Sequence, residues 1–192
     1  METTEHFNKI NATTKDNIRN IANNNGGGYK LEFLNPFECN RAQVFELVGE
    51  NVIFKKFEPK GKEDSDIAAL KDLDGIDYFP KLYAYEDREY LFMEKAEGVN
   101  LPTYLASKPP KKEVGLIKEK MVDAFTQMLS RNRRDWDFKL EHFFWSPKNQ
   151  RLMWIDMSIC DVFAQEEKVK QDEIECFANS LENEFRFSGF NY

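Results

Sequence analysis

Apolar and polar positions change rhythm along the chain. From Tyr29 the apolar runs are short and interrupted. LEFLNPFECNRAQVFEL followed by NVIFKKFE reads as strand, loop, strand, turn, strand, with Gly49 in the turn VGEN. EDSDIAALKDL breaks this pattern. Its acidic start and the helical spacing of Ile67, Leu70 and Leu73 predict a short helix. YFPKLYAYEDREYLFME then supplies two more strands about a turn at Glu86–Asp87. Beyond it the spacing is helical. VNLPTYLASKPPKK is a short helix stopped by Pro109–Pro110. EVGLIKEKMVDAFTQMLSRN is the longest helical pattern, with Leu116, Ile117, Met121, Phe125 and Met128 near one face. HFFW and RLMWID are strand-like around the turn composition SPKNQ. Residues 163–187 predict one or two terminal helices, with Ile174, Phe177, Leu181 and Phe185 on one stripe. The predicted order is a small antiparallel sheet with one inserted helix, a connector, a long helix, a hairpin and closing helices. There is no internal repeat.

Residues 1–28 are polar and end in NNNGGG. They predict a flexible arm with one short helix near 5–21. The GGG is no phosphate-binding P-loop, because no GK[ST] follows and no strand precedes it.

Composition narrows the function classes. The 192 residues are 41% hydrophobic and include 17 Phe and 7 Tyr, so one domain or two small lobes with aromatic-rich packing is expected. A net charge of −7 argues against nucleic acid or an anionic membrane as a partner of the bulk field. Cys39, Cys160 and Cys176 are widely spaced without CxxC pairing and read as reduced core residues of a cytosolic protein. No run of about 18 apolar residues predicts membrane insertion, and METTEHFNKI has no signal-peptide core. Secretion by a non-classical route stays open.

The candidate chemistry lies in RDWDFKLEHFFWSPKNQRLMWIDMS. The predicted turn falls midway between Asp137 and Asp156, so an antiparallel hairpin returns both carboxylates to its open end. Two neighbouring carboxylates repel unless a cation or proton intervenes. Their hard oxygens suit Mg²⁺. The plain alternative is two solvated acids beside a surface hairpin.

In order and spacing the motifs from about Leu34 to Asp156 resemble the protein-kinase-like fold. DWDFKLEH stands where such kinases carry HRDxKxxN. The resemblance implies Asp137 as catalytic acid–base residue, Lys139 as the lysine that neutralises the moving phosphoryl group, and His142 at the Asn position. WIDMS resembles the DFG turn and implies Asp156 as the Mg²⁺ ligand. VIFK resembles the VAIK strand and implies Lys55 as the phosphate-binding lysine, with Lys56 as its rival. SDIAALKDL resembles the helix whose acid pairs with that lysine, which points to Asp66, with Glu63 as alternative. YLFMEKAEG resembles the hinge, with Met93 as gatekeeper and Glu94 to Ala96 offering backbone hydrogen bonds to adenine. DFKLEHF is also similar to a D-F-x-L-x-H-F pattern of bacterial lipopolysaccharide core kinases acting on Kdo or heptose. DIAALKDLDGI and the short C-terminal region are similar to the small kinases of the KEOPS complex, and bacterial effector kinases are trimmed in a similar way.

The resemblance implies an α+β, minimal two-lobed fold: an arm over 1–28, an N-lobe and hinge over 29–96, and a reduced helical C-lobe over 97–192. It implies an ATP- and Mg²⁺-dependent kinase with a hydroxyl-bearing sugar, lipid-linked sugar or protein as substrate. The departures favour another reading, a pseudokinase that binds or scaffolds a protein partner. FECNRAQVF has no glycine where kinases carry a Gly-rich loop, so Asn40 and Arg41 are candidates for phosphate contact; Ser158 replaces the DFG glycine; His142 and Asp66 are unusual. His142 is read equally as a core histidine, since imidazole binds Mg²⁺ poorly. Asp135 is read as a surface acid in preference to a structural stand-in for the loop histidine. Arg131, Arg133, Arg134 and Lys139 form a cluster suited to an anionic substrate, or simply to a helix C-terminus. An unrelated α+β structural domain is the remaining reading.

Overall fold

A computed structural model describes residues 1–23, 29–34 and 41–187. The chain divides into two compact units: residues 1–74 with 80–95, and residues 75–79 with 96–192.

The first unit is built on a six-stranded antiparallel sheet. Its strands are β1 (Glu2–Thr3), β2 (Leu31–Phe33), β3 (Ala42–Leu47), β4 (Val52–Phe57), β5 (Leu82–Glu86) and β6 (Tyr90–Glu94). They lie in the order β1-β5-β6-β4-β3-β2. Gly49, at φ +88°, sits in the turn between β3 and β4, where a left-handed conformation favours glycine. Alternation along β4 sends Phe54 and Lys55 to opposite faces. Phe54 stacks on Phe92 (ring centroids 4.7 Å apart) and packs with Val52, Leu47, Ile18, Ile21 and Phe7. Helices α1 (Glu5–Lys9) and α2 (Ala12–Asn23) therefore cover this face. Lys55 points to the other face, where α3 (Asp66–Asp72) lies.

Residues 1–23 are thus not the flexible polar arm that composition suggested. Their polar character conceals a one-sided helix, in which Thr14, Ile18 and Ile21 are buried at helical spacing. Asn17 and Thr14 also hydrogen-bond Glu50 in the β3–β4 turn, and β1 pairs with β5 through Glu2↔Tyr85 and Thr3↔Ala84. Residues 24–28, including the glycine run, lie outside the described residues.

The second unit carries α4 (Leu101–Ala106), α5 (Lys111–Ser130) and α6 (Glu167–Phe187). With them are the short strands β7 (Val99–Asn100), β8 (Arg133–Asp135), β9 (Phe143–Ser146), β10 (Arg151–Trp154) and β11 (Cys160–Val162). The predicted hairpin is β9–β10, in register from Arg151↔Ser146 to Trp154↔Phe143. Its core is aromatic. Trp154 is fully buried, 4.5 Å from Phe143 and 6.0 Å from Phe177, and Phe177 stacks 4.2 Å from Phe125. Such pairs each add about 0.5–1.5 kcal/mol beyond area burial. Phe177, Leu181 and Phe185 of α6 are buried, so the terminal stripe is core. Gly98, at φ +99°, is required by close approach: a Cβ there would lie 2.1 Å from the Trp145 carbonyl oxygen. Cys160 is buried, as expected, but Cys176 is exposed on α6, because it falls off the apolar stripe; Cys39 lies outside the described residues. Among the described residues no helix is long and apolar enough to cross a membrane.

Candidate active site

In the strand-rich unit the functional geometry is an ion pair. Lys55 Nζ donates to both carboxylate oxygens of Asp66, each at 2.9 Å. Lys55 is 6% exposed and Asp66 1%. Lys55 stands in the central strand β4, opposite Val44 of β3 and Leu91 of β6. Asp66 opens α3, where the helix dipole favours a carboxylate. The shorter side chain of Asp reaches the lysine, so the pair forms without a glutamate. Glu63 is exposed and faces Arg88, and Lys56 projects from the other side of the strand. Met93 and Glu94 are buried at the end of β6, and Ala96 is half-buried beyond it. The Glu94 N–H is committed to the Lys81 carbonyl at 2.9 Å, so that donor is not open to a ligand as the hinge resemblance implied. Arg41 forms a bidentate pair with the Asp64 carboxylate; Asn40 lies outside the described residues.

In the helical unit the second set gathers around the open end of β9–β10. Lys139 Nζ donates to Asp137 Oδ2 at 2.7 Å. That hydrogen bond, more than the nearby charges of Asp137 and Asp156, raises the Lys139 pKa and keeps the ammonium charged. His142 Nε2 lies 3.7 Å from Asp156 Oδ2. The His142 carbonyl accepts the Ile155 N–H at 2.8 Å, which extends the hairpin register to the two functional segments. Asp156 has φ +63°, a left-handed conformation uncommon outside glycine. Such backbone strain collects at functional sites. The antiparallel pair β8–β11, with Cys160 opposite Asp135, ties the segment after Asp156 to the one before Asp137.

Asp135 is a correction to the sequence reading. It is 5% exposed, not a surface acid. Alternation along β8 puts Asp135 on the inward side with Arg133, while Arg134 faces the other way. Its Oδ1 accepts the Asp137 N–H at 3.1 Å, so it holds the backbone of the candidate catalytic residue. Burial first, then the charges of Asp137 and Asp156, push its pKa up to about 6 against the lowering effect of that backbone bond. The nearby Trp154 indole also lowers it, yet Trp154 Nε1 and Asp135 Oδ2 both lack a hydrogen-bond partner. The only sequence signal for this role was its place two residues before Asp137.

Arg133, Arg134 and Lys139 of the basic cluster do not share a site. Arg133 is buried and donates to the Cys160 carbonyl at 3.0 Å. Arg134 pairs with Glu173 at 2.7 Å and lies 3.8 Å from the centre of the Trp136 ring. Lys139 alone of the four is bonded to the candidate catalytic aspartate.

Among the described residues no three metal-ligating side chains converge. Asp156 offers one carboxylate, with His142 as a weak neighbour for a hard ion. That donor set fits Mg²⁺ only in its usual mode, in which one or two protein carboxylates are supplemented by phosphate oxygens and water.

No known protein family matches the chain, and no curated protein matches it. Among solved structures it is similar to the kinase PK-1 of the Cydia pomonella granulovirus, with a TM-score of 0.60 and 18% identity over 85% of this chain and 69% of that one. Likeness at this identity is likeness of fold: the chain has a minimal protein-kinase-like fold, with a strand-rich N-terminal lobe and a reduced, mainly helical C-terminal lobe.

Proposed function

We propose that the protein is an ATP- and Mg²⁺-dependent phosphotransferase acting on a hydroxyl group. The observation that carries this reading is the buried Lys55–Asp66 pair. Burying both charges costs several kcal/mol in desolvation, and an apolar pair of similar volume would serve stability as well or better. A kinase-like fold gives the pair a use: Lys55, held by Asp66, meets the nucleotide phosphates as a fixed positive charge. Asp137 takes the acceptor hydroxyl proton as its oxygen bonds to the γ-phosphorus and the bond to the ADP oxygen breaks. Lys139 offsets charge on the transferred group, and Asp135 fixes the Asp137 backbone. Asp156 would hold Mg²⁺, which when bound supplies charge neutralisation at the phosphate oxygens. The likeness of DFKLEHF to the lipopolysaccharide core kinases favours a sugar or lipid-linked sugar as acceptor, with a protein acceptor as the competing choice.

One observation favours the pseudokinase reading. His142 places an imidazole, 3.7 Å from Asp156, where an oxygen ligand would suit Mg²⁺ better. A turnover assay separates the readings. With γ-labelled ATP and mixed sugar and protein acceptors, wild type transfers label and Asp137→Asn is slower by roughly 10²–10⁴-fold. Equal transfer by both would remove Asp137 from its role, and no Mg²⁺-ATP binding at all would leave the scaffolding reading.

A further inference from the structure

The Lys55–Asp66 pair requires α3 to stand at a fixed distance from β4, yet α3 is only seven residues long. A helix this short has little stability of its own, so its place is set by what fastens its ends. At its C-terminal end Lys71 Nζ donates to the Tyr85 hydroxyl of β5 at 3.3 Å. Its N-terminal end follows the loop 58–65, and that loop is fastened to Arg41, immediately before β3, at three points. The Arg41 carbonyl accepts the Glu58 N–H at 2.8 Å. Gly61 abuts the same carbonyl so closely that a Cβ there would fall 1.9 Å from its oxygen. The Arg41 guanidinium donates to both oxygens of Asp64, from Nε to Oδ2 at 3.1 Å and from Nη2 to Oδ1. Asp64 lies two residues before Asp66, and its side chain is 1% exposed. All of these residues belong to the strand-rich unit.

Two other ion pairs reach this loop, Lys62 with Glu89 and Arg88 with Glu63. Their side chains are 35% to 75% exposed, so solvent screens them and they hold the loop weakly. The Arg41–Asp64 contact differs in kind. A planar fork meets a buried carboxylate through two parallel hydrogen bonds, which fixes direction as well as distance. A lysine would supply the charge without that geometry. We propose that Arg41 is a positioning residue: through Asp64 it sets the start of α3 and so places Asp66 against Lys55. Arg41, a sequence candidate for phosphate contact, thus serves the phosphate-binding lysine from a distance. The use of Lys55 for nucleotide rests on the phosphotransferase reading; the placing of Lys55 by this clamp does not.

The test compares two clamp variants with a control. Arg41→Lys keeps the charge and loses the fork. Gly61→Ala forces the loop off the Arg41 carbonyl and leaves both charges in the chain. Lys62→Met removes an exposed pair from the same loop. The first readout needs no nucleotide. Brief acetylation of the full chain with acetic anhydride, read by mass spectrometry and normalised to the exposed Lys148, measures how closely Lys55 is held. Amide exchange of β4 and β6 in the same samples reports whether the sheet is intact. Both clamp variants are expected to raise Lys55 acetylation at least fivefold with sheet protection unchanged, and Lys62→Met to stay within twofold of wild type. Unchanged acetylation in either clamp variant, an equal rise in Lys62→Met, or a rise accompanied by lost sheet protection would overturn the proposal; the last would make the contact merely structural. The second readout is the Kd for Mg²⁺-ATP by calorimetry. It is expected to weaken at least tenfold in the clamp variants and less than twofold in Lys62→Met. Wild-type affinity in the clamp variants would likewise overturn the positioning role. An absence of binding by wild type would remove the phosphotransferase reading alone, because the acetylation result decides the clamp by itself.

Discussion

The strand-rich unit holds its lysine–carboxylate pair out of water; the helical unit leaves its own in it. The side chains of Lys55 and Asp66 are 8% and 2% exposed and share two contacts of 2.9 Å. Those of Lys139 and Asp137 are 53% and 33% exposed and share one contact of 2.7 Å. The first pair is fixed by its surroundings and costs free energy to bury. The second is screened by solvent, contributes little to stability and is free to exchange partners. Rigid placement suits a group that binds; an exchangeable contact suits groups that must release and take up a proton.

The largest effect expected from breaking this contrast is at Asp66. Asp66→Ala takes both carboxylate contacts from a buried ammonium and should cost about 3–5 kcal/mol in urea unfolding. The double variant Lys55→Met/Asp66→Leu should recover most of that loss, because an apolar pair replaces the charges. A double variant no more stable than Asp66→Ala would mean that the charges themselves stabilise the fold.

Asp135 gives the next largest effect, and it depends on pH. Its folded pKa of about 6 stands above the usual value near 3.8. Below pH 4 the group is protonated in both folded and unfolded chains and carries no penalty. As pH rises through about 6 the unfolded chain ionises more readily, so stability is lost, by about 3 kcal/mol at most. Asp135→Asn should flatten this part of the stability profile, measured by denaturation between pH 4 and 7. An unchanged slope would place the titration elsewhere.

For the exposed pair, Asp137→Asn should change stability by less than about 1 kcal/mol while abolishing most turnover. A stability loss comparable to that of Asp66→Ala would erase the distinction between the two pairs. The smallest effect concerns His142. Asn at this position supplies a hard oxygen near Asp156, so His142→Asn should tighten Mg²⁺-ATP binding by less than about tenfold in calorimetry. Weaker binding would show that the imidazole contributes to the site.

What was legible in the sequence was whatever local periodicity records. The inserted helix at Ile67, Leu70 and Leu73, the long helix through Met128 and the hairpin about SPKNQ are all present, because each buries one regular face. Alternation in VIFK also marked Lys55 over Lys56. A short helix near 5–21 was legible, but its packing was not, because its buried residues are sparse among polar ones and only the sheet that the N-terminal helices cover reveals the need for them. Asp135 was missed for a related reason. Its burial comes from the hairpin and helices folding over β8, and nothing within RRDWD signals that. The basic cluster failed in the opposite sense. Arg133, Arg134 and Lys139, close in sequence, have different partners once β8 alternates Arg133 inward and Arg134 toward α6.

The central claim is that the buried pair exists to bind nucleotide. The most direct test is a thermal-shift titration with ATP, with and without Mg²⁺, on wild type, Asp156→Asn and Lys55→Met/Asp66→Leu. A ligand that binds the native state raises its stability by mass action, by about 2.7 kcal/mol at a hundredfold excess over Kd. The expected result is an Mg²⁺-dependent rise in wild type that is absent from both variants, with the double variant still folded. A rise that persists in the double variant, or no rise in wild type at millimolar Mg²⁺-ATP, would contradict the claim.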